Sequence, residues 1–94
     1  MAFRPVRGMD VKSGTAGDAW SADIDLDYQT RLMSLECWTE NLNVKLSNDG
    51  GTTFGDPFEV DKDRPLVIPF ACRTIQVQNK TPGSNSRYQV AGMD

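Results

Sequence analysis

The chain contains no histidine. That absence removes His-based triads, imidazole metal ligands and the commonest general base. Cysteine is almost as scarce. Cys37 and Cys72 stand alone in apolar contexts, LECWT and PFACRT, so no CxxC redox or zinc motif exists. No apolar run approaches the roughly 20 residues that a membrane span needs. The start, MAFRPVRGMD, has arginines but no apolar h-region, so no secretory signal is expected and the chain is placed in the cytosol. Helical periodicity and internal repeats are missing too. Without a nucleophile and a base that could converge, the sequence predicts no enzyme, no cofactor and no metal site.

At 94 residues the chain is one domain at most, and its core is modest, so oligomerisation is a plausible helper. Two Trp, four Phe and two Tyr supply core material. In a reducing compartment the two cysteines read as buried thiols, since a bridge would need their Cβ atoms about 4 Å apart. The net charge of -3 is unevenly placed. Residues 1–12 carry Arg4, Arg7 and Lys12 against Asp10, a net of +2. Residues 13–61 carry ten acidic residues against Arg31 and Lys45, a net of -8, and residues 62–94 return to +3. An acidic middle between basic ends suits head-to-tail packing of copies, and an ordinary mixed surface explains it as well.

Residues 1–17 are poor in apolar side chains and contain Gly8, Gly14 and Gly17. They read as an extended N-terminal arm, ordered only by a partner, ahead of a single β domain over residues 18–94. The domain opens on AWSADIDLDY, whose Trp20, Ala22, Ile24, Leu26 and Tyr28 share one face of a half-buried strand. QTRLMSLECWT puts Met33, Leu35 and Cys37 on one face and Leu32 and Trp38 on the other. NVKL and FEV are short strands that bury Val44, Leu46, Phe58 and Val60. In LVIPF, Pro69 cannot donate to a ladder, which favours an edge strand or its end. TIQVQN follows with its parity changed, so a bulge or corner falls near Cys72 and Arg73. After the turn NKTPGSNS, RYQVAGM closes the chain with Tyr88 and Val90 inward. The predicted fold is all-β, a small antiparallel sandwich or barrel of about seven short strands.

LSNDGGTTFGDP joins NVKL to FEV. A phosphate loop would need a following helix, and TTFGDPFEV is β-like. An EF-hand loop counted from Asp49 would need Gly where Phe54 stands. A hairpin fits: Asp49 accepts bonds from N–H groups inside the turn, and Gly50 and Gly51 supply positive φ. The spelling Ser47-x-Asp49-x-Gly51-x-Thr53-Phe54 resembles the Asp-box, a hairpin motif of sialidase-like propellers and other β proteins. That resemblance implies turn-shaping roles for Ser47, Asp49, Gly50, Gly51, Thr53 and Phe54, not sialidase activity.

Other clusters read as structure. Asp23, Asp25 and Asp27 form a solvated outer face without the further oxygen ligands that calcium needs. Trp20 and Tyr88 fall on inward parity. Trp38 lies on the other face of its strand and is the candidate for an exposed contact or a sugar-stacking ring. Asn79-Lys80-Thr81 spells a glycosylation acceptor, void in a chain that is not secreted. The acidic balance disfavours nucleic acid, although Arg4 and Arg7 on a mobile arm could touch phosphate.

The arm, the compact β domain, LSNDGGTTFGDPFEV and the late run IQVQNKTPGSNSRYQV together resemble small virion proteins of tailed bacteriophages. These are the capsid decoration (cement) proteins and the small tail or connector proteins. The resemblance implies a structural, non-enzymatic job in the virion, usually as a homo-oligomer bound to the major capsid protein or other virion proteins. The arm would then supply the contacts, with Phe3 as apolar anchor and Arg4 and Arg7 on acidic groups. A carbohydrate-binding β module built on Trp38 is the alternative from another class.

Overall fold

The structure is a computed structural model that describes residues 9–26, 30–69 and 72–93. Eight strands follow in chain order among these residues: β1 (Met9–Ala16), β2 (Ile24–Asp25), β3 (Leu32–Trp38), β4 (Leu42–Ser47), β5 (Phe58–Val60), β6 (Leu66–Ile68), β7 (Thr74–Asn79) and β8 (Ser86–Met93). They form two four-stranded sheets, ordered β1-β8-β3-β6 and β2-β7-β4-β5. Every pairing is antiparallel. The all-β sandwich expected from the alternating sequence is the fold.

Alternation builds the core. Met33, Leu35 and Cys37 of β3 and Tyr88 and Val90 of β8 face Leu42 and Val44 of β4, Val60 of β5, and Ile75 and Val77 of β7. Leu26 and Cys72, from connecting segments, close the same cluster. Both cysteines are free and buried. Their thiols lie near backbone carbonyls, Cys37 at 3.3 Å from Val60 O and Cys72 at 3.4 Å from Thr74 O. Burial pushes both thiols above their ordinary pKa, so they behave as small apolar side chains.

β6 is an edge strand, and Pro69 follows it directly, where no ladder N–H is required. The parity change after it is a corner: the chain leaves the β6 sheet and enters β7 of the other sheet. The following turn is pinned from two sides. Asn79 Nδ2 donates to Ser84 O at 2.7 Å and to Thr81 O, and the Gly83 N–H donates to the Asp18 carboxylate at 2.9 Å.

Three expectations are corrected. The first is the boundary at residue 17. Met9–Ala16 is no free arm but an eight-residue edge strand, paired with β8 from Met9↔Met93 to Ala16↔Ser86. Backbone hydrogen bonds hold it, so its poverty in apolar side chains does not prevent strand formation. Its inward positions are Asp10, Lys12, Gly14 and Ala16, and only Ala16 is buried against the core. Asp10 and Lys12 pair with each other at 3.5 Å on the sandwich rim. Gly14 is bare because the Tyr88 ring lies over it; a Cβ there would stand 2.8 Å from the Tyr88 hydroxyl oxygen.

The second correction concerns AWSADIDLDY, which contributes only β2. Around it the chain follows β7 through single bonds, Ser21 N to Val77 O and Leu26 N to Arg73 O, both 2.8 Å. Between them the alternation slips, and the third correction follows. Trp20 leaves the core parity, and its ring lies 4.5 Å from Lys45 Nζ on the outer face of β4. A cationic ammonium over an indole face holds it there. Of the residues expected inward, Ile24 and Leu26 pack on the core, Ala22 is exposed, and Tyr28 lies outside the described residues.

Two variants test this packing. Gly92 faces inward on β8, and a Cβ there would meet Thr30 Cγ2 at 2.5 Å and Leu26 Cδ1 at 2.8 Å. Gly92→Ala is therefore expected to destabilise by about 1–3 kcal/mol through overpacking, read from denaturant melts. Deleting residues 1–16 is expected to lower the Tm sharply, because one neighbour of β8 is lost. An unchanged Tm after that deletion would show β1 to be dispensable.

Candidate functional site

Asp49 organises the β4–β5 hairpin. Its Oδ1 accepts from the Ser47 hydroxyl at 2.6 Å, Thr52 N at 3.1 Å and Thr53 N at 3.0 Å, and its Oδ2 accepts from the Thr53 hydroxyl at 2.5 Å. The Ser47 oxygen in turn accepts from Gly51 N at 3.0 Å. Gly50 and Gly51 take φ of 77° and 93°, conformations that other residues rarely adopt. Phe54 is half-buried with its ring 5.1 Å from Lys45 Nζ. Both carboxylate oxygens thus serve the turn itself. The hydrogen bonds from Ser47 first, then Thr53, hold the Asp49 carboxyl far below the ordinary aspartate range.

The outer face of β2-β7-β4-β5 is internally satisfied. Asn43 Nδ2 donates to Gln78 Oε1 at 3.2 Å, Gln78 Nε2 to Asp18 O at 2.8 Å, and Gln76 Nε2 to Asp23 Oδ1 at 2.7 Å. The Thr74 hydroxyl donates to Asp25 at 2.8 Å. Lys45 lies between Trp20 and Phe54. Asp23 and Asp25 of the acidic row are therefore wired to β7, Asp27 lies outside the described residues, and among the described residues no group of acidic or cysteine side chains converges as a metal would require.

The opposite face differs. Register places four cross-strand rows on the outside of β1-β8-β3-β6. From one end these are Thr15–Arg87–Trp38, Ser13–Gln89–Glu36, Val11–Ala91–Ser34–Val67, and Met93–Leu32. The exposed large hydrophobic side chains of the described residues are Val67 at 56%, Val11 at 45%, Leu32 at 37% and Trp38 at 36%, and all four stand here. One end of the face is polar around an indole, and the other is apolar across the sheet. A shallow depression of about 260 Å³ marks the polar end, lined by Ser13, Gly14, Thr15, Trp38, Arg87, Tyr88 and Gln89.

No family model, curated protein or solved structure matches this chain. Among the described residues no helix is long and apolar enough to cross a membrane.

The proposed contacts at Phe3, Arg4 and Arg7 lie outside the described residues. Trp38 is exposed on the outer face of β1-β8-β3-β6. Sequence reasoning missed Val11, Val67, Arg87 and Gln89. The signal for Val67 was present, since it alternates outward between Leu66 and Ile68. Val11 was hidden by reading its segment as an arm.

Asp49→Asn is expected to lower the Tm at neutral pH and leave the folded face unchanged. The folded-state pKa is depressed, so this contribution is complete above the ordinary value of 3.8 and is lost as pH falls below it. The Tm gap between wild type and variant should narrow from pH 6 toward about pH 2 in a series of thermal melts. A gap that widens with acidification would contradict this role.

Proposed function

We propose that the chain is a non-enzymatic structural protein of a tailed-bacteriophage virion. In this reading it is a decoration (cement) protein that seats the apolar end of the outer face of β1-β8-β3-β6 on the major capsid protein. The observation that carries the reading is that Val11, Leu32 and Val67, three of the exposed large hydrophobic side chains of the described residues, stand in the apolar rows at one end of this face. Exposed apolar side chains gathered on one part of a small domain mark a docking surface. The sequence resemblance to small virion proteins supplies the partner class.

Magnitudes favour an array over an isolated pair. Fully burying one such side chain contributes about 1.5–3 kcal/mol, and these three are already partly covered. Association costs on the order of 4–15 kcal/mol in lost freedom. A single docking through this row is therefore weak. Copies bound side by side on a repeating shell, or joined as an oligomer, gain effective concentration and hold firmly. A tail or connector position would use the same face in the same way.

Co-expression with a major capsid protein encoded in the same genome, followed by sedimentation of assembled shells, tests the proposal. Saturable co-sedimentation is expected for the wild type. A Val11→Asp, Val67→Asp double variant should stay in the supernatant with its Tm nearly unchanged, because both side chains point into solvent. Wild-type protein that never accompanies shells, or a variant that still binds them, refutes this assignment.

A further inference from the structure

We infer that the Trp38 end of the same face is a binding site for a neutral hexopyranose within an oligosaccharide. The docking proposal rests on the apolar rows; this one rests on the polar rows.

The depression combines one indole with the donors and acceptors that sugar hydroxyls need. Thr15, Arg87 and Trp38 form one row, and Ser13, Gln89 and Glu36 form the next. Of these, Ser13, Thr15, Arg87 and Gln89 line the depression and present two hydroxyls, a guanidinium and an amide beside the indole, and Glu36 stands in the next row outside the lining. A pyranose lays its C–H face on an indole, whose flat apolar surface is large and rigid. Its hydroxyls both donate and accept, which suits this mixed set.

Availability separates this patch from the rest of the surface. Ser13, Thr15, Glu36, Arg87 and Gln89 make no side-chain hydrogen bond or ion pair with any described residue, unlike the polar groups outside β7 and β4. A sheet face whose amides and charges are tied together offers a ligand little. A face whose groups are uncommitted offers directional bonds without first breaking any.

The strand end that presents Trp38 is also fixed by strain. Thr39 takes φ of 66°, rare for a β-branched residue. Glu40 N donates to Trp38 O at 2.7 Å, closing a three-residue γ-turn. The Thr39 hydroxyl donates to Asn85 O at 3.0 Å, and the buried Ser86 hydroxyl reaches the carbonyls of Trp38 at 3.0 Å and Glu40 at 2.6 Å. Strained backbone persists where its surroundings over-determine it, and such places cluster at ligand sites. Here the strained Thr39 follows the indole directly, ends β3 at Trp38 and holds Trp38 in register with Arg87.

Charge selects the sugar class. Arg87 is the charged residue of the lining, and Glu36, outside it in the adjacent row, offsets that charge, so the patch taken with its surroundings has no net charge to draw a phosphate, sulfate or sialic acid.

The test is titration of the isotopically labelled full chain with neutral gluco-, galacto- and manno-oligosaccharides, followed by ¹H–¹⁵N NMR. The Trp38 indole N–H is assigned with Trp38→Phe, and Trp20 serves as internal control. Saturable shifts are expected at the Trp38 indole and at the amides of Thr15, Arg87 and Gln89, with Kd about 0.1–1 mM. Trp38→Ala should weaken binding at least about tenfold without loss of fold. Arg87→Ala should weaken it less, and Val11→Asp with Val67→Asp should leave it intact. Absence of shifts across the panel, binding that survives Trp38→Ala, or preference for sialylated or sulfated glycans would each overturn the assignment. None of these outcomes alters the sedimentation result, so the two proposals stand or fall separately.

Discussion

Strand β8 is the constraint on which the rest of the molecule depends. It pairs along its whole length with β1 on one side and over seven residues with β3 on the other. Its period of two assigns every role. Ser86, Tyr88, Val90 and Gly92 point inward and are buried, so they fix core volume, the Gly14 contact and the close approach of Leu26 and Thr30. Arg87, Gln89, Ala91 and Met93 point outward and form the middle column of the exposed face. A slip of one residue would exchange the two sets, burying a guanidinium and exposing Val90. The register that makes the core thus also makes the site.

What the sequence revealed follows the same physics. Where side chains alternate between apolar and polar, as in Leu32–Trp38 and Ser86–Met93, strand and inward set were both legible. Where the backbone does the holding, they were not. Met9–Ala16 forms a full ladder with almost no buried side chain, so no hydrophobic pattern announces it. AWSADIDLDY shows the converse. Its pattern is the cleanest in the chain, yet Trp20 is drawn to Lys45 and only Ile24–Asp25 pairs as a strand. The hairpin at Asp49 was readable because its chemistry is local. The exposed face was not, because it is assembled from four strands distant in sequence. Trp38 alone could be singled out in advance.

The two outer faces solve the same problem in opposite ways. Both carry glutamines and aromatic rings, and on β7 and β4 these are bonded to one another and roofed by the segment from Asp18 to Asp23 and by the Asp49 hairpin. That face is finished. On β8 and β3 no segment of the described chain lies across the sheet, and the polar groups beside Trp38 have no bonds among themselves. Among the described residues, one sheet therefore anchors loop segments through its outer side chains, and the other does not.

The edges explain why association should use a face. A sheet with free edges invites strand-to-strand addition, and proteins suppress this by shortening the edge or placing charge and proline on it. Here β2 has two residues, β5 and β6 have three each, and β6 ends at Pro69. The one long edge, β1, turns Asp10 and Lys12 toward the sandwich interior side. An incoming strand at β1 would extend the sheet over a charged rim with no core beneath it. Edge addition thus gains backbone bonds but little apolar burial, whereas docking on Val11, Leu32 and Val67 gains burial without disturbing any existing bond. Short edges, a charged long edge and one open face thus point the same way, toward contact through a face rather than through strand addition.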